Sequence, residues 1–297
     1  MKVAITGASG FIGSRLATEL KNRGDEVLAL SRDPGRARER LGVEALGPDP
    51  ETGTVPVDAL SAVDAVVNLA GEPIAQRWTA EAKKRIRASR VDRTQRLVAA
   101  LHQADPGPRV LVSASAAGYY GDRGAEDLDE SAPPGDDFLA SVCVDWERAA
   151  DGAGVRVVKI RTGVVLDRAG GALKQMLPPF RAGLGGPIAG GRQYLPWISL
   201  ADIVGIYLAA VSDEAWSGTV NGSAPAPVTN GEFARALGRA LRRPAFIPVP
   251  ALALKALFGE MASVVTASQR MLPRRALELG YEFEHPGLDQ ALRAALR

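Results

Sequence analysis

Apolar residues fall into short runs at 3–6, 27–30, 65–69, 110–113 and 155–160, each of strand length, and the segments between them carry apolar positions three and four apart. The first such segment shows the helical rule. Ile12, Leu16 and Leu20 recur every four residues until Gly24, a residue suited to the left-handed turn that ends a helix. Between 80 and 101, Ala82, Ile86, Val91, Leu97, Val98 and Leu101 mark the buried side of one predicted helix, with its arginines in solvent. Strands alternating with helices predict a parallel, doubly wound sheet. Past about Arg161 the regularity gives way to glycine- and proline-rich connections, Gly183-Leu-Gly-Gly-Pro187 and Gly190-Gly191, where such a sheet builds its substrate side. Thr229-Asn230-Gly231-Glu232 reads as a capping box that opens a helix with Phe233, Leu237 and Leu241 on one side. A proline-marked strand at 246–250 and further helices follow. The expected fold class is α/β: a Rossmann-type doubly wound parallel sheet over 1–224, with a smaller C-terminal α/β substrate lobe over 225–297 packed on it.

Composition narrows the function. The 297 residues are 46% hydrophobic, enough for a sizeable core. The net charge of +2 comes from interspersed charges, and the arginines between Arg32 and Arg40 read as a solvated helix face, which gives nucleic acid or a membrane surface no electrostatic handle. The single cysteine, Cys143, excludes an intramolecular disulfide framework, and two distant histidines, His102 and His285, argue against a metal site. No charged segment followed by an apolar stretch precedes Val3, so a cytoplasmic protein is expected.

The chemistry starts at Thr6-Gly7-Ala8-Ser9-Gly10-Phe11-Ile12-Gly13, directly behind the first strand. Gly7 lets the chain leave the strand, Gly10 lets backbone N–H groups approach a pyrophosphate, and Gly13 lets the helix pack closely. The helix N-terminus presents Phe11, Ile12 and Gly13 amides to the anion. At the end of the second strand stands Ser31-Arg32, where a protein selective for NAD usually has an acidic side chain. A guanidinium there pairs with a 2′-phosphate, so NADP(H) is expected over NAD(H). Asp33 is the competing feature, since a carboxylate turned inward would take the ribose hydroxyls.

The three-residue glycine spacing, together with Asn68-Leu69-Ala70-Gly71-Glu72, resembles the short-chain dehydrogenase/reductase superfamily in its extended, epimerase-like branch. Further matches are Glu72-Pro73-Ile74, Arg77-Trp78, Gly118-Tyr119-Tyr120-Gly121, Arg161-Thr-Gly-Val-Val-Leu166, Met176-Leu-Pro-Pro-Phe180, Pro196-Trp197-Ile198-Ser199, Asn230-Gly-Glu-Phe233 and Gly280-Tyr281. On these the chain is identified as a member of an atypical subfamily of NAD(P)-dependent epimerase-like oxidoreductases with a C-terminal domain of unknown function, DUF1731. The resemblance implies that Leu69, Ala70, Gly71, Glu72, Arg77 and Val164 approach the cofactor and that Asp49 meets the adenine.

In that branch a serine or threonine after the fifth strand and a Tyr-x-x-x-Lys pair on the next helix move the proton. Here the alignment puts Ala116 at the hydroxyl position, with Ser115 one residue earlier, Leu139 at the tyrosine and Cys143 at the lysine. The candidate catalytic groups are therefore Ser115, Tyr119 and Tyr120, the last two tuned by Lys159 or Arg161; a buried structural role is the alternative for each tyrosine. The expected function is an NADP(H)-binding oxidoreductase or epimerase-like protein acting on a small molecule that the sequence does not name. The alternative is a catalytically silent NADP-binding regulator. Both monomer and homodimer are compatible with the sequence.

Overall fold

The computed structural model describes residues 1–48 and 55–297. Its centre is a parallel sheet of seven strands among the described residues: β1 (Lys2–Thr6), β2 (Glu26–Leu30), β3 (Glu44–Leu46), β4 (Ala65–Asn68), β5 (Val110–Ala116), β6 (Arg156–Thr162) and β7 (Gly218–Gly222). They lie in the order β7-β6-β5-β4-β1-β2-β3, and every neighbouring pair is parallel. The order reverses between β1 and β4, the crevice in which such sheets bind ligands. Val3, Ala4 and Ile5 of β1 and Ala65, Val66 and Val67 of β4 have no exposure at all, so the middle of the sheet is covered on both faces.

The helices are α1 (Phe11–Asn22), α2 (Pro34–Leu41), α3 (Val57–Ser61), α4 (Ala80–Ala88), α5 (Val91–Leu101), α6 (Phe138–Asp151), α7 (Gly171–Arg181), α8 (Leu200–Ser212), α9 (Asn230–Leu241), α10 (Ala251–Phe258), α11 (Ala262–Thr266), α12 (Arg274–Glu278) and α13 (Leu288–Ala295). In α1, Leu16 and Leu20 are buried as the spacing predicts, and Gly24 adopts φ +86° just past the helix end. The capping box at α9 is present in full, with the Thr229 hydroxyl accepting from the Glu232 amide and the Glu232 carboxylate accepting from the Thr229 amide.

Two expectations are corrected. The helix predicted over 80–101 is two helices, because Ser89 is taken out of the run. Its Oγ donates to the Ile86 carbonyl at 2.9 Å and accepts from the Glu72 amide at 2.9 Å, and α5 then starts afresh at Val91. The segment 246–250 forms no strand. With prolines at 244, 248 and 250 it can donate few backbone bonds. Instead it lies along the glycine-rich loop, through Ile247 N–H to Gly185 O (3.2 Å) and Val249 N–H to Pro187 O (2.9 Å). Gly186 is required there, since a Cβ would stand 2.0 Å from the Ile247 carbonyl oxygen.

The chain beyond 225 divides its packing. α9 and α13 bury Phe233, Leu237, Ala291 and Leu292 with Leu173, Leu177 and Trp197, whereas Ala276, Tyr281 and Phe283 join the core of the main sheet. Fully buried Asp202, at the start of α8, ties the last segment down by accepting from the Glu284 and His285 amides. Among the described residues no helix is long and apolar enough to cross a membrane.

Candidate functional site

The turn after β1 is bare backbone. Gly7 has φ +71°, and a Cβ on it would lie 3.0 Å from the backbone of Leu69 and Ala70 at the end of β4. A Cβ on Gly13 would stand 2.3 Å from the Gly7 carbonyl oxygen, so α1 sits closer to the strand than any side chain permits. Gly10 caps α1 without a side-chain hydrogen bond, and the first turn carries no acidic residue. The amides of Phe11, Ile12 and Gly13, in the first turn, lie at the positive end of the helix. The ring of Phe11 packs against the Gly170-Gly171 turn, where a Cβ on Gly170 would fall 2.4 Å from it.

At the end of β2, Arg32 is exposed, whereas Ser31 is engaged with its own turn through its hydroxyl and the backbone of Asp33. The Asp33 carboxylate is committed elsewhere: it caps α2 by accepting from the Arg36 amide at 3.0 Å. A second guanidinium stands near. Burial first, and then the charge of Arg32, hold Arg93 of α5 below the usual arginine value. Arg32 and Arg93 are thus neighbouring positive charges, with the Asp33 carboxylate engaged at the start of α2 and Glu72 the counter-charge on Arg93. Asp49 lies outside the described residues.

β1 and β4 are locked together below the crevice. Thr6 Oγ1 donates to Asn68 Oδ1 at 2.7 Å and accepts from the Leu69 and Ala70 amides, while Asn68 Nδ2 donates to Thr94 Oγ1 at 2.9 Å. Gly71 then passes over the guanidinium of Arg90, which would meet a Cβ there at 3.3 Å. The Arg90 side chain donates to the carbonyls of Glu72 (3.0 Å) and Ile86 (3.2 Å) and lies 5.4 Å from the ring centre of Trp146. Glu72 is half-buried and faces Gln76 and Arg85, not Arg77, which is exposed.

Beyond Gly71 opens a cavity of about 480 Å³, bounded by β5, α6, the segment 162–164, the short strand Tyr194–Leu195 and α11. Ala116, Leu139, Cys143 and Val164 all line it, so the three positions that the resemblance aligns with the proton-transfer groups share one cavity. Cys143 is buried, its Sγ 3.9 Å from the Ala116 carbonyl oxygen, and burial first and then the Glu147 charge push its thiol up to about 12. Native protein is accordingly expected to resist alkylation by iodoacetamide at pH 8 and to react only after unfolding. Fast modification of the folded chain would contradict this environment.

The three catalytic candidates fare differently. Tyr120 is fully buried and outside the cavity lining; its hydroxyl meets Asn221 Oδ1 at 2.6 Å and receives from Arg161 at 3.0 Å, and burial pushes the phenol up to about 12. Tyr119 is also outside that lining, with the Arg161 guanidinium 3.3 Å above its ring. Both pack around Arg161 and away from the cavity, the placement that goes with the structural alternative for each. Ser115 does line the cavity, but its proton points the other way, into Glu147 Oε1 at 2.6 Å. Glu147 is in turn held by two bonds of 2.9 Å from Arg161.

The sequence reading missed Arg90, Gln193, Tyr194, Asn230 and Gln269 of the lining. The spacing Ser89-x-x-Asp92, that of a helix start, was the available signal for the break that delivers Arg90. The others come from loops and two-residue strands, where periodicity carries nothing.

The chain is similar in sequence and fold to known proteins. Residues 3–219 match the model of the NAD dependent epimerase/dehydratase family, and residues 249–295 match a domain of unknown function, DUF1731. The chain is 42% identical over 307 residues to the epimerase family protein SDR39U1 homolog, chloroplastic, of Arabidopsis thaliana, across all of this chain and 87% of that protein. A crystal structure of human epimerase family protein SDR39U1 (isoform2) with NADPH superposes with a TM-score of 0.88 at 38% identity, over 99% of both chains. A nucleoside-diphosphate sugar epimerase structure from Corynebacterium glutamicum is similar with a TM-score of 0.79 at 34% identity, over all of this chain and 58% of that one.

Proposed function

The chain belongs to the NAD dependent epimerase/dehydratase family, and on that footing we propose that it binds NADP(H) and acts as an oxidoreductase or epimerase on a small molecule. The observation that carries the reading is the bare turn from Gly7 to Gly13 combined with Arg32 at the end of β2 and an Asp33 carboxylate spent on capping α2. The human relative's complex with NADPH supports it. Bound there, the nicotinamide would supply or take up a hydride. The chain's part is to hold it. Gly7, Ser9, Gly10 and the first amides of α1, from Phe11 to Gly13, take the pyrophosphate; Ser31 and Arg32 take the 2′-phosphate, with Arg93 adding charge; Leu69, Ala70 and Gly71 run beside the nicotinamide-side ribose, with Glu72 to accept from a ribose hydroxyl. Val164 closes the cavity end, and Arg77 is free to meet a phosphate.

Arg32→Ala is expected to weaken NADPH binding about 10- to 100-fold, the loss of one charge-assisted contact, and to leave NADH binding unchanged. Titration followed by NADPH fluorescence reads this directly. Unchanged NADPH affinity would remove Arg32 from the site.

A second reading draws on the wall formed by Ala116, Leu139 and Cys143, where the one dissociable proton is on the Cys143 thiol, which burial holds in place. A catalytically silent NADP(H)-binding regulator would keep the cradle and lose those groups. NADPH-linked turnover of any compound excludes it.

A further inference from the structure

The cavity's charges are already engaged. Among the described residues Arg90, Asp137 and Glu260 are the charged side chains of its lining. Arg90 is spent on the Glu72 and Ile86 carbonyls, Asp137 caps α6 through the Ala140 amide at 2.8 Å, and Glu260 pairs with Lys83. A nucleoside diphosphate entering here would surrender the hydration of two phosphates with no cation set aside for them, a loss that an apolar wall does not offset. Of the polar side chains in the lining, Ser115, Thr162, Gln193, Ser263 and Gln269 donate to Glu147 or to backbone carbonyls and Asn230 accepts from the Ile188 amide, and most of the remaining wall is apolar or aromatic. Trp78 and Phe138 meet edge-on at 5.3 Å, and Trp146, Leu195, Val264 and Val265 continue the surface. A nicotinamide reaching into this cavity would take up part of the 480 Å³, and the remainder would suit a single flat ring system.

The proton side points the same way. A simple ketone gains a localised alkoxide on reduction and needs an acid beside its oxygen. Here Leu139 and Ala116 have no dissociable proton, Cys143 directs its thiol toward the Ala116 carbonyl, and Ser115 donates into a carboxylate fixed by Arg161. A conjugated acceptor has no such need, because its reduced form is a delocalised anion that water can protonate.

We infer that the cavity takes an uncharged, ring-sized conjugated carbonyl compound, of the quinone or enone class, and that it is reduced without a positioned acid; this rests on the NADP(H) reading above. A hydride from NADPH forms a new C–H bond at the conjugated carbon and leaves NADP+. The C=C electron pair moves toward the carbonyl oxygen, and the resulting anion takes one proton from water. For a quinone, loss of the ring proton to solvent and protonation of the oxygen complete the hydroquinone. The balance is one acceptor, one NADPH and one proton giving one reduced product and one NADP+.

The test uses the full chain. NADPH is first titrated by its own fluorescence, so that failure of the cofactor reading shows by itself and takes the inference with it. 1,4-Naphthoquinone and 4-phenyl-3-buten-2-one are then compared with acetophenone and UDP-glucose, by protein-dependent loss of NADPH absorbance and by quenching of tryptophan fluorescence from Trp78 and Trp146. The inference expects saturable quenching and turnover with the quinone and the enone, at least tenfold above acetophenone, and neither response with UDP-glucose. Val264→Arg and, separately, Leu139→Arg are expected to abolish the quinone's quenching while NADPH still binds. Tyr194→Phe, which removes the one phenol lining the cavity among the described residues, is expected to move KM for the quinone more than kcat and to leave the pH profile of kcat in place. Turnover of UDP-glucose, a preference for acetophenone, loss of kcat or a shifted pH profile in Tyr194→Phe, or NADPH binding with no turnover of either conjugated probe would each overturn it.

Discussion

Gly13→Val is expected to lose NADPH binding by at least about 100-fold and to lower the stability of the fold by about 1–3 kcal/mol, the usual range for overpacking a tight contact. The reason is the 2.3 Å that would separate a new Cβ from the Gly7 carbonyl oxygen, with the Ala8 Cα only 2.9 Å away. Both neighbours are backbone and neither can swing aside. Either α1 moves off β1 or the turn opens, and each movement takes the helix amides away from the pyrophosphate. Gly24→Ala makes a control for the conformational part alone. Its φ is +86° but a Cβ there meets nothing within 4 Å, so it should cost some stability and leave NADPH affinity as it was. Equal NADPH affinity in Gly13→Val and the parent chain would separate the turn from cofactor binding.

The second large effect is on stability. Arg161 and Glu147 form a buried pair, the two side chains only 4% and 9% exposed, joined by two bonds of 2.9 Å. Burial alone would lower the Arg161 value, yet the hydrogen bonds and charge of Glu147, with Tyr120, hold it above the usual arginine range. Glu147→Leu strands the guanidinium beside Tyr119 and Tyr120 and is expected to cost about 3–5 kcal/mol, the range found when one partner of a buried pair is removed. Thermal melting should show it as a fall of roughly 10 °C. Glu147→Leu combined with Arg161→Met removes both charges and should recover much of the loss. A double variant as unstable as the single one would mean that shape at this position, and not the stranded charge, sets the penalty.

Much of the sheet was legible because parallel strands buried on both faces must be continuous apolar runs, and 3–6, 27–30 and 65–69 are such runs. The glycine turn was legible because much of its constraint is local: Gly10 and Gly13 answer to Gly7 and Ala8, and Gly7 to its own positive φ, although Leu69 and Ala70 at the end of β4 also crowd Gly7. The break at Ser89 was not, since the apolar spacing of Ile86 and Val91 continues across it and its cause, the Glu72 amide, comes from another part of the chain. The fate of Asp33 was ambiguous for a similar reason: a carboxylate before Pro34 can cap a helix or bind a ribose, and only the placement of the Arg36 amide decides. Tyr119 and Tyr120 stand at the end of β5, the ligand side of the sheet, while Arg161 of β6 covers the Tyr119 ring and the Tyr120 hydroxyl is held by Arg161 and by Asn221 of β7, contacts that no local pattern announces. Leu139 and Cys143 were read from register alone, and both line the cavity.

If the turn at Gly7–Gly13 and the arginine at the end of β2 select NADP(H), side-by-side titration of the unmodified chain with NADPH and NADH, at one ionic strength, reads the selection directly. NADPH should bind at least about tenfold tighter, the difference expected of a single charged contact to the 2′-phosphate. Equal affinities, or tighter binding of NADH, would contradict it.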